Sequence, residues 1–384
     1  MTHIPALAGT SVSSVGVNSE QRRLRVLVVG PARAGATSRG GMATVIAHMA
    51  AHPDERIRIT VVPTFVDRSA WRRLVVGVYG MLRATWLVLR GRVDVLHIHL
   101  SHGGSVIRKA LPLSAARLTD VPTVVHAHSC YFDGWFDRLP PLGQAAVRRL
   151  LVADHWLVLG ERQVEEYASR LQLTPSRISV LHNAVRIPDT PVTQLGVERV
   201  HAVALGRLGM RKGSYDVIAA VAALDATVRN RLRVTLAGDG EVEEVRAAVA
   251  RAGMGETIQV AGWLDPVTRD ELLRTAHIFV LPSRAEGLPV ALLEAMAYGL
   301  APVTTMVGSI GEAVSDRVNG LLVQPGCPGQ IAEALSALVT DEHLRGRLGT
   351  AARCRASDFG LNSWYQLLTR RWTQLASKPS GLSR

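Results

Sequence analysis

Short apolar runs that alternate with longer stretches of helical spacing confine this chain to a narrow set of folds. Residues 24–30, 93–99, 123–129, 155–159, 178–185, 201–206, 231–237, 257–264 and 277–281 each read as a buried strand, with helix-spaced sequence between them. Such alternation points to an α/β protein with parallel sheets covered by helices on both faces, because a parallel crossover needs an intervening segment to return the chain. At 384 residues the chain is too long for one ordinary domain and suits two.

The boundaries follow from composition. Residues 188–199, with Pro188, Asp189, Thr190 and Pro191, read as a linker between a first domain over 24–187 and a second over 200–358. Residues 359–384 hold a last helix carrying Trp364, Tyr365 and Trp372. Residues 1–23 lack the charged start and long apolar run of a signal peptide and read as a disordered leader. Cys130, Cys327 and Cys354 form no C-x-x-C pair, which suits a reducing, cytoplasmic setting. A formal net charge of +12 favours an anionic partner without choosing among nucleotide phosphates, anionic lipid and nucleic acid. No RRM, KH or helix-turn-helix pattern supports nucleic acid.

The most informative stretch is 279–299, Phe-Val-Leu-Pro-Ser-Arg-Ala-Glu-Gly-Leu-Pro-Val-Ala-Leu-Leu-Glu-Ala-Met-Ala-Tyr-Gly. It reads as a strand end, a loop, and a helix that opens near Pro289 and closes at a C-cap glycine, Gly299. Glu286 falls in the loop and Glu294 inside the helix, so both can face one cleft. The free N–H groups of Gly287, Leu288 and Val290 at the helix start suit a phosphate. Residues 206–213, Gly-Arg-Leu-Gly-Met-Arg-Lys-Gly, bring Arg207 and Lys212 onto one turn. A guanidinium fork and a compact ammonium together neutralise two phosphates, as a divalent metal does elsewhere. Gly238, Asp239 and Gly240 end another strand and should face the same crevice. The Gly40-Gly41 loop after the first strand has neither a P-loop ending nor a G-x-G-x-x-G.

The paired glutamates with Leu-Pro-Ser before them and Glu-Ala-Met-Ala-Tyr-Gly after, together with the Gly-Arg and Lys-Gly of 206–213, resemble glycosyltransferase family 4. These are retaining nucleotide-sugar enzymes with two Rossmann-like domains facing an interdomain cleft, the GT-B fold. The resemblance implies that Glu286 lies against the donor sugar, that Glu294 binds the nucleotide ribose and that Gly40 and Gly41 lie near the diphosphate. It implies that His128 faces the transferred sugar. One departure is Ala184, where the family's Asn-Gly-Val turn has glycine. The implied reaction moves a hexosyl group from a UDP- or GDP-linked sugar to an acceptor hydroxyl, with Glu286, His128, Arg207 and Lys212 as the catalytic set. Because Arg207, Lys212 and the helix amides would stabilise the departing diphosphate, neither a metal nor another cofactor is expected. A catalytically silent nucleotide-sugar-binding or membrane-recruiting subunit, and a related synthase or phosphorylase, are the alternatives.

Three further features stay open between two readings. Six arginines and no acid lie between Arg68 and Arg92, threaded through Trp71, Leu74, Val75, Val78, Leu82, Trp86 and Leu89, with Arg72, Arg83 and Arg90 on one helical stripe. This is either a helix packed on the sheet with an arginine edge or an interfacial helix on anionic lipid. His97 with His99, and His126 with His128, are two H-x-H pairs that fit either a metal or ordinary packing. Tyr131, Phe132, Trp135 and Phe136 make either an acceptor wall or a hydrophobic anchor. The basic charge, the Arg68–Arg92 segment and the aromatic run favour a lipid-linked or cell-envelope glycan acceptor, and a peripheral seat on the inner face of the plasma membrane.

Overall fold

A computed structural model describes residues 23–35 and 38–377, so the expected leader lies, but for Arg23, outside the described residues. The first sheet is built from β1 (Leu24–Pro31), β2 (Ile57–Phe65), β3 (Val95–Leu100), β4 (Thr123–Ala127), β5 (His155–Val158) and β6 (Ile178–Val180). Its strands are all parallel, in the order β2-β1-β3-β4-β5-β6. Helices α1 (Gly41–Ala50), α2 (Ala70–Leu89), α3 (Gly104–Leu118), α4 (Phe132–Asp137), α5 (Pro141–Leu150) and α6 (Glu161–Leu171) are interleaved with them.

The second sheet uses β7 (Val200–Leu205), β8 (Leu232–Ala237), β9 (Ile258–Gly262), β10 (Ile278–Leu281), β11 (Ala301–Thr305) and β12 (Leu321–Val323). Its order, β12-β11-β10-β7-β8-β9, is that of a Rossmann sheet, again all parallel. Around it lie α7 (Ser214–Ala222), α8 (Ala226–Asn230), α9 (Val242–Arg251), α10 (Pro266–Thr275), α11 (Val290–Tyr298), α12 (Pro328–Thr340) and α13 (Glu342–Ala356).

Strand alternation distributes the core. Val26 and Val28 point into an apolar cluster that runs between the two domains, while Leu27 and Val29 join a second cluster on the other face of the first sheet. A third lies behind the second sheet, around Val234, Leu335 and Leu338. The segment 188–199 has no helix or strand, yet it is not a loose tether. Buried Arg345 donates to the carbonyl and side-chain oxygens of Gln194, whose amide in turn donates to the carbonyls of His277 and Gly299. The last helix, α14 (Leu361–Ala376), returns to the first domain. There the Tyr365 hydroxyl donates to the His48 carbonyl, and buried Trp372 donates its indole N–H to His97.

Two of the sequence-derived expectations change here. The helix of 68–92 does lie on the sheet, but it is seated through Gly77, Gly80, Ala84 and Val88, while Trp71, Leu74, Val75, Val78, Leu82, Trp86 and Leu89 are exposed. The aromatic run after Ser129 is not a loop either. It forms the short α4, with Phe132 and Phe136 buried and Phe132 stacked on Tyr167 at 4.3 Å. Only Tyr131 of this group lines the interdomain cleft.

Candidate functional site

Each sheet reverses its strand order once, between β1 and β3 in the first and between β7 and β10 in the second. Ligands of open α/β sheets bind beyond the strand C-termini at such reversals. The loops that follow β1, β3, β7 and β10 do converge, around an interdomain cavity of ≈ 720 Å³.

The second-domain wall carries the charge. The turn after β7 passes so close to the turn after β8 that a Cβ on Gly238 would lie 1.6 Å from the Gly206 carbonyl oxygen, which leaves glycine as the only residue for that position. This proximity sets Arg207, Lys212, Gly238 and Asp239 along one side of the cavity. Gly240 is not on its wall; it lies under the aliphatic stem of Arg207. Lys212 Nζ is 2.6 Å from Glu286 Oε1, the Ser283 hydroxyl donates to the same oxygen at 2.7 Å, and Arg211 stands 3.8 Å from Oε2. Glu286 is therefore held as an acceptor between donors, with 8% of its surface exposed. An oxygen so engaged is poorly placed to take a proton from a substrate. Arg207 is exposed and has no ion-pair partner among the described residues.

Pro289 caps α11, and the N–H groups of Gly287, Leu288 and Val290 before and at its first turn have no acceptor among the described residues. They border the cavity opposite Gly40 and Gly41, and Gly41 comes within van der Waals reach of Val290 across the cleft. Farther along α11, Glu294 pairs with Arg269 of α10 at 3.1 Å. Burial pushes the Glu294 carboxyl up to about 7, against the pull of Arg269.

Around His128 the first-domain wall carries no charge. His128 follows β4 and borders the cavity; its Nε2 lies 2.8 Å from His99 Nδ1, and His99 Nε2 lies 3.2 Å from the Met49 sulfur. A thioether has no proton to give, so His99 carries its proton on Nε2, and its Nδ1 accepts one from His128. His128 Nδ1 is then a lone-pair acceptor without a partner among the described residues. Burial lowers His128 to about 3 and keeps it uncharged.

His97, His99 and His126, all fully buried, bring ring nitrogens within 4.8 Å of one another, a spacing a metal ion could bridge. The hydrogen bonds work against that use. Trp372 N–H occupies His97 Nδ1 and so leaves the proton on Nε2, while Met49 holds the His99 proton on its Nε2. An ion could reach His99 only by displacing His128 or Met49, and His97 only through Nε2.

Every residue expected at the site borders the cavity except Gly240. Several that belong to it went unread. Arg211 and Ser283 sit inside the two motifs but carry no spacing signal of their own. Arg269 pairs with Glu294 from another helix, and Asn183 donates across the domains to the Leu288 carbonyl at 2.5 Å. Glu312 likewise bridges the domains, accepting from the Glu161 N–H and lying 2.8 Å from His182. Arg39 stacks over Trp263, 4.7 Å from the ring centre, at one end of the cavity.

Comparison with known proteins bears on both halves. Residues 191–355 match the family described as "Glycosyl transferases group 1", and residues 20–187 match "Glycosyltransferase Family 4". A D-inositol 3-phosphate glycosyltransferase of Catenulispora acidiphila is 29% identical over 340 residues, 80% of this chain and 77% of the relative. An alpha-maltose-1-phosphate synthase of Mycobacterium tuberculosis is 30% identical over 63% of this chain and 70% of its own. Among solved structures, HepE of Anabaena in complex with UDP superposes with a TM-score of 0.72 at 17% identity, over 92% of this chain and all of that one.

Proposed function

We propose, given that the chain belongs to glycosyltransferase family 4 and has its two-domain GT-B fold, that it transfers a hexosyl group from a UDP- or GDP-linked sugar to an acceptor hydroxyl with retention. The observation that carries this reading is the pair Glu286–Lys212, backed by buried Ser283, with exposed Arg207 and the free amides of α11 on the same cavity wall.

In this reading the diphosphate lies on Arg207, Lys212 and the N–H groups of Gly287, Leu288 and Val290. These groups gain most as the bond from the anomeric carbon to the diphosphate oxygen breaks and negative charge builds there. The acceptor oxygen bonds to the anomeric carbon on the face the leaving group vacates, and its proton passes to the departing diphosphate. Glu286 keeps Lys212 in place and accepts from sugar hydroxyls. His128 Nδ1 accepts from another sugar hydroxyl, and Glu294 accepts from the ribose. The positive groups do the work a divalent ion does elsewhere, so no metal is needed. UDP in the HepE structure favours a uridine nucleotide. The acceptor is a lipid-linked or cell-envelope glycan precursor, reached from the cytoplasmic face of the membrane.

The test is release of UDP or GDP from a panel of their hexose conjugates, with EDTA present and an envelope lipid extract as acceptor source. NMR of the product then reads the anomeric configuration. Retention, and loss of release in Glu286→Ala, are expected. Equal release by wild type and Glu286→Ala would return the silent-subunit reading.

A further inference from the structure

We propose that the outward face of α2 is a docking surface for a bilayer with anionic headgroups. It deepens the reading of a membrane-borne acceptor, and rests on that reading for its purpose but not for its measurement.

The helix is inverted relative to one designed for water. Its buried stripe is Gly77, Gly80, Ala84 and Val88, and it approaches β2 so closely that a Cβ on Gly80 would lie 2.0 Å from the Pro63 carbonyl oxygen. Apart from half-buried Val76, Met81 and Leu87, the remaining large apolar side chains point away. Trp71, Leu74, Val75, Val78, Tyr79, Leu82, Trp86 and Leu89 are each at least 44% exposed, Trp71 reaching 71%. At 100° per residue they span an arc of about 140° centred roughly opposite the buried stripe. Neighbouring α3 extends the surface with Ile107 and Leu111, also exposed. A continuous apolar face of this kind marks a binding surface.

Charge selects the occupant. Arg72, Arg83 and Arg90 fall along one border of the arc, Tyr79 and Trp86 lie between that border and the apolar centre, and no acid occurs from Arg68 to Arg92. Among the described residues Arg68, Arg72, Arg83 and Arg90 form no ion pair. Apolar centre, then aromatic rings, then arginine is the sequence of environments from acyl chains through the interface to anionic headgroups. A second copy of the chain fits worse, since neither 68–92 nor 104–118 holds an acid that could pair with the arginine border of another copy. No helix among the described residues is long and apolar enough to cross a membrane, so α2 would lie in the interface plane. Both α2 and α3 begin just after residues of the cleft, Asp67 and His102, so a docked protein would hold the cavity's first-domain rim at the lipid surface.

The test is flotation of the full chain with phosphatidylcholine vesicles, with and without phosphatidylglycerol, in the absence of donor and acceptor, alongside light scattering. Wild type is expected to float with the anionic vesicles, more weakly at high salt. Replacing Arg72, Arg83 and Arg90 together with glutamine should lower the partition coefficient on the order of 100-fold. The pair Trp71→Ser and Leu82→Ser should weaken binding to both vesicle types. All five side chains are exposed, so melting temperatures should not change. Binding untouched by both sets of substitutions, or no binding, would overturn the proposal. So would a wild-type dimer that the serine pair dissociates. UDP or GDP release with detergent-dispersed envelope lipid extract as acceptor, without vesicles, should be the same in all variants; its absence in wild type would count against the transferase reading and leave the docking result standing.

Discussion

The two walls of the cleft solve different problems by different means. The second-domain wall gathers charge, with Arg211 and Lys212 on Glu286, Arg269 on Glu294 and unpaired Arg207 on the same cavity, and leaves amides unpaired at α11. The first domain gathers imidazoles behind its wall, with His128 reaching the cavity, and keeps them neutral, since burial lowers His97 and His128 to about 3 and His99 and His126 well below the ordinary value. Charge suits a diphosphate, whose own charge grows as it leaves. Neutral acceptors suit sugar hydroxyls, which must be oriented without attracting phosphate to the wrong wall.

The largest effect should come from the charged wall. Lys212→Ala removes a contact to the leaving group and leaves Glu286 without its closest partner, so turnover is expected to fall about 1,000-fold, the scale of losing one transition-state donor. A steady-state assay in which kcat falls and KM moves little would place the loss in the chemical step. A loss confined to KM would assign Lys212 to ground-state binding alone.

Glu294 gives a pH signature. Its carboxyl is raised from an ordinary value near 4.5 to about 7, so folding favours the protonated form. The stability this contributes is fully present below about 4.5 and is lost as pH rises through about 7. Glu294→Gln should therefore gain on wild type by on the order of 2 kcal/mol at pH 8 relative to pH 5, read from denaturant melts. Nucleotide affinity of wild type should instead rise over the same range, because the carboxylate is the better acceptor for ribose hydroxyls. Affinity flat in pH would remove Glu294 from the ribose site.

The neutral wall should respond more gently. His128→Ala removes one hydrogen bond and is expected to cost about tenfold in kcat/KM. Since His128 stays uncharged above about 3, the wild-type rate should show no limb from it between pH 5 and 8. A limb near 6.5 that vanishes in His128→Ala would mean the imidazole does titrate. The smallest effect belongs to Met49→Leu, which keeps the volume and deletes the acceptor for the His99 proton. A few-fold loss in kcat/KM is expected, with nitrogen NMR showing His128 as the Nε2–H tautomer in wild type and a mixture in the variant. An Nδ1–H tautomer in wild type would contradict the Met49–His99–His128 relay.

Much of the charged wall was legible because its residues sit at fixed offsets in two continuous segments, 206–213 and 279–299, each a strand end running into a helix. Short continuous apolar runs likewise give away the strands. The neutral wall could be read only in part. His128 stands at a strand end, but the polarity of its hydrogen bond depends on Met49 of α1, with the crossovers through α2 and α3 between them, and no spacing rule links residues that far apart. Arg269, Asn183 and Glu312 act across helices or domains and are hidden for the same reason. The inverted α2 was ambiguous because periodicity reports which residues share a face but not which face turns inward. That was settled by Gly77 and Gly80, whose missing side chains let the helix sit close to β2.

The central claim is that the charged wall holds a nucleoside diphosphate without a metal. The most direct measurement is a thermal-shift panel of nucleoside diphosphates and nucleotide sugars, in EDTA, on wild type and Arg207→Ala. Arg207 is exposed and unpaired, so its removal should leave the melting temperature of the free protein unchanged. The account predicts a rise in melting temperature for one base over the others, lost in Arg207→Ala. No rise with any nucleotide, or a rise that Arg207→Ala retains in full, would contradict it.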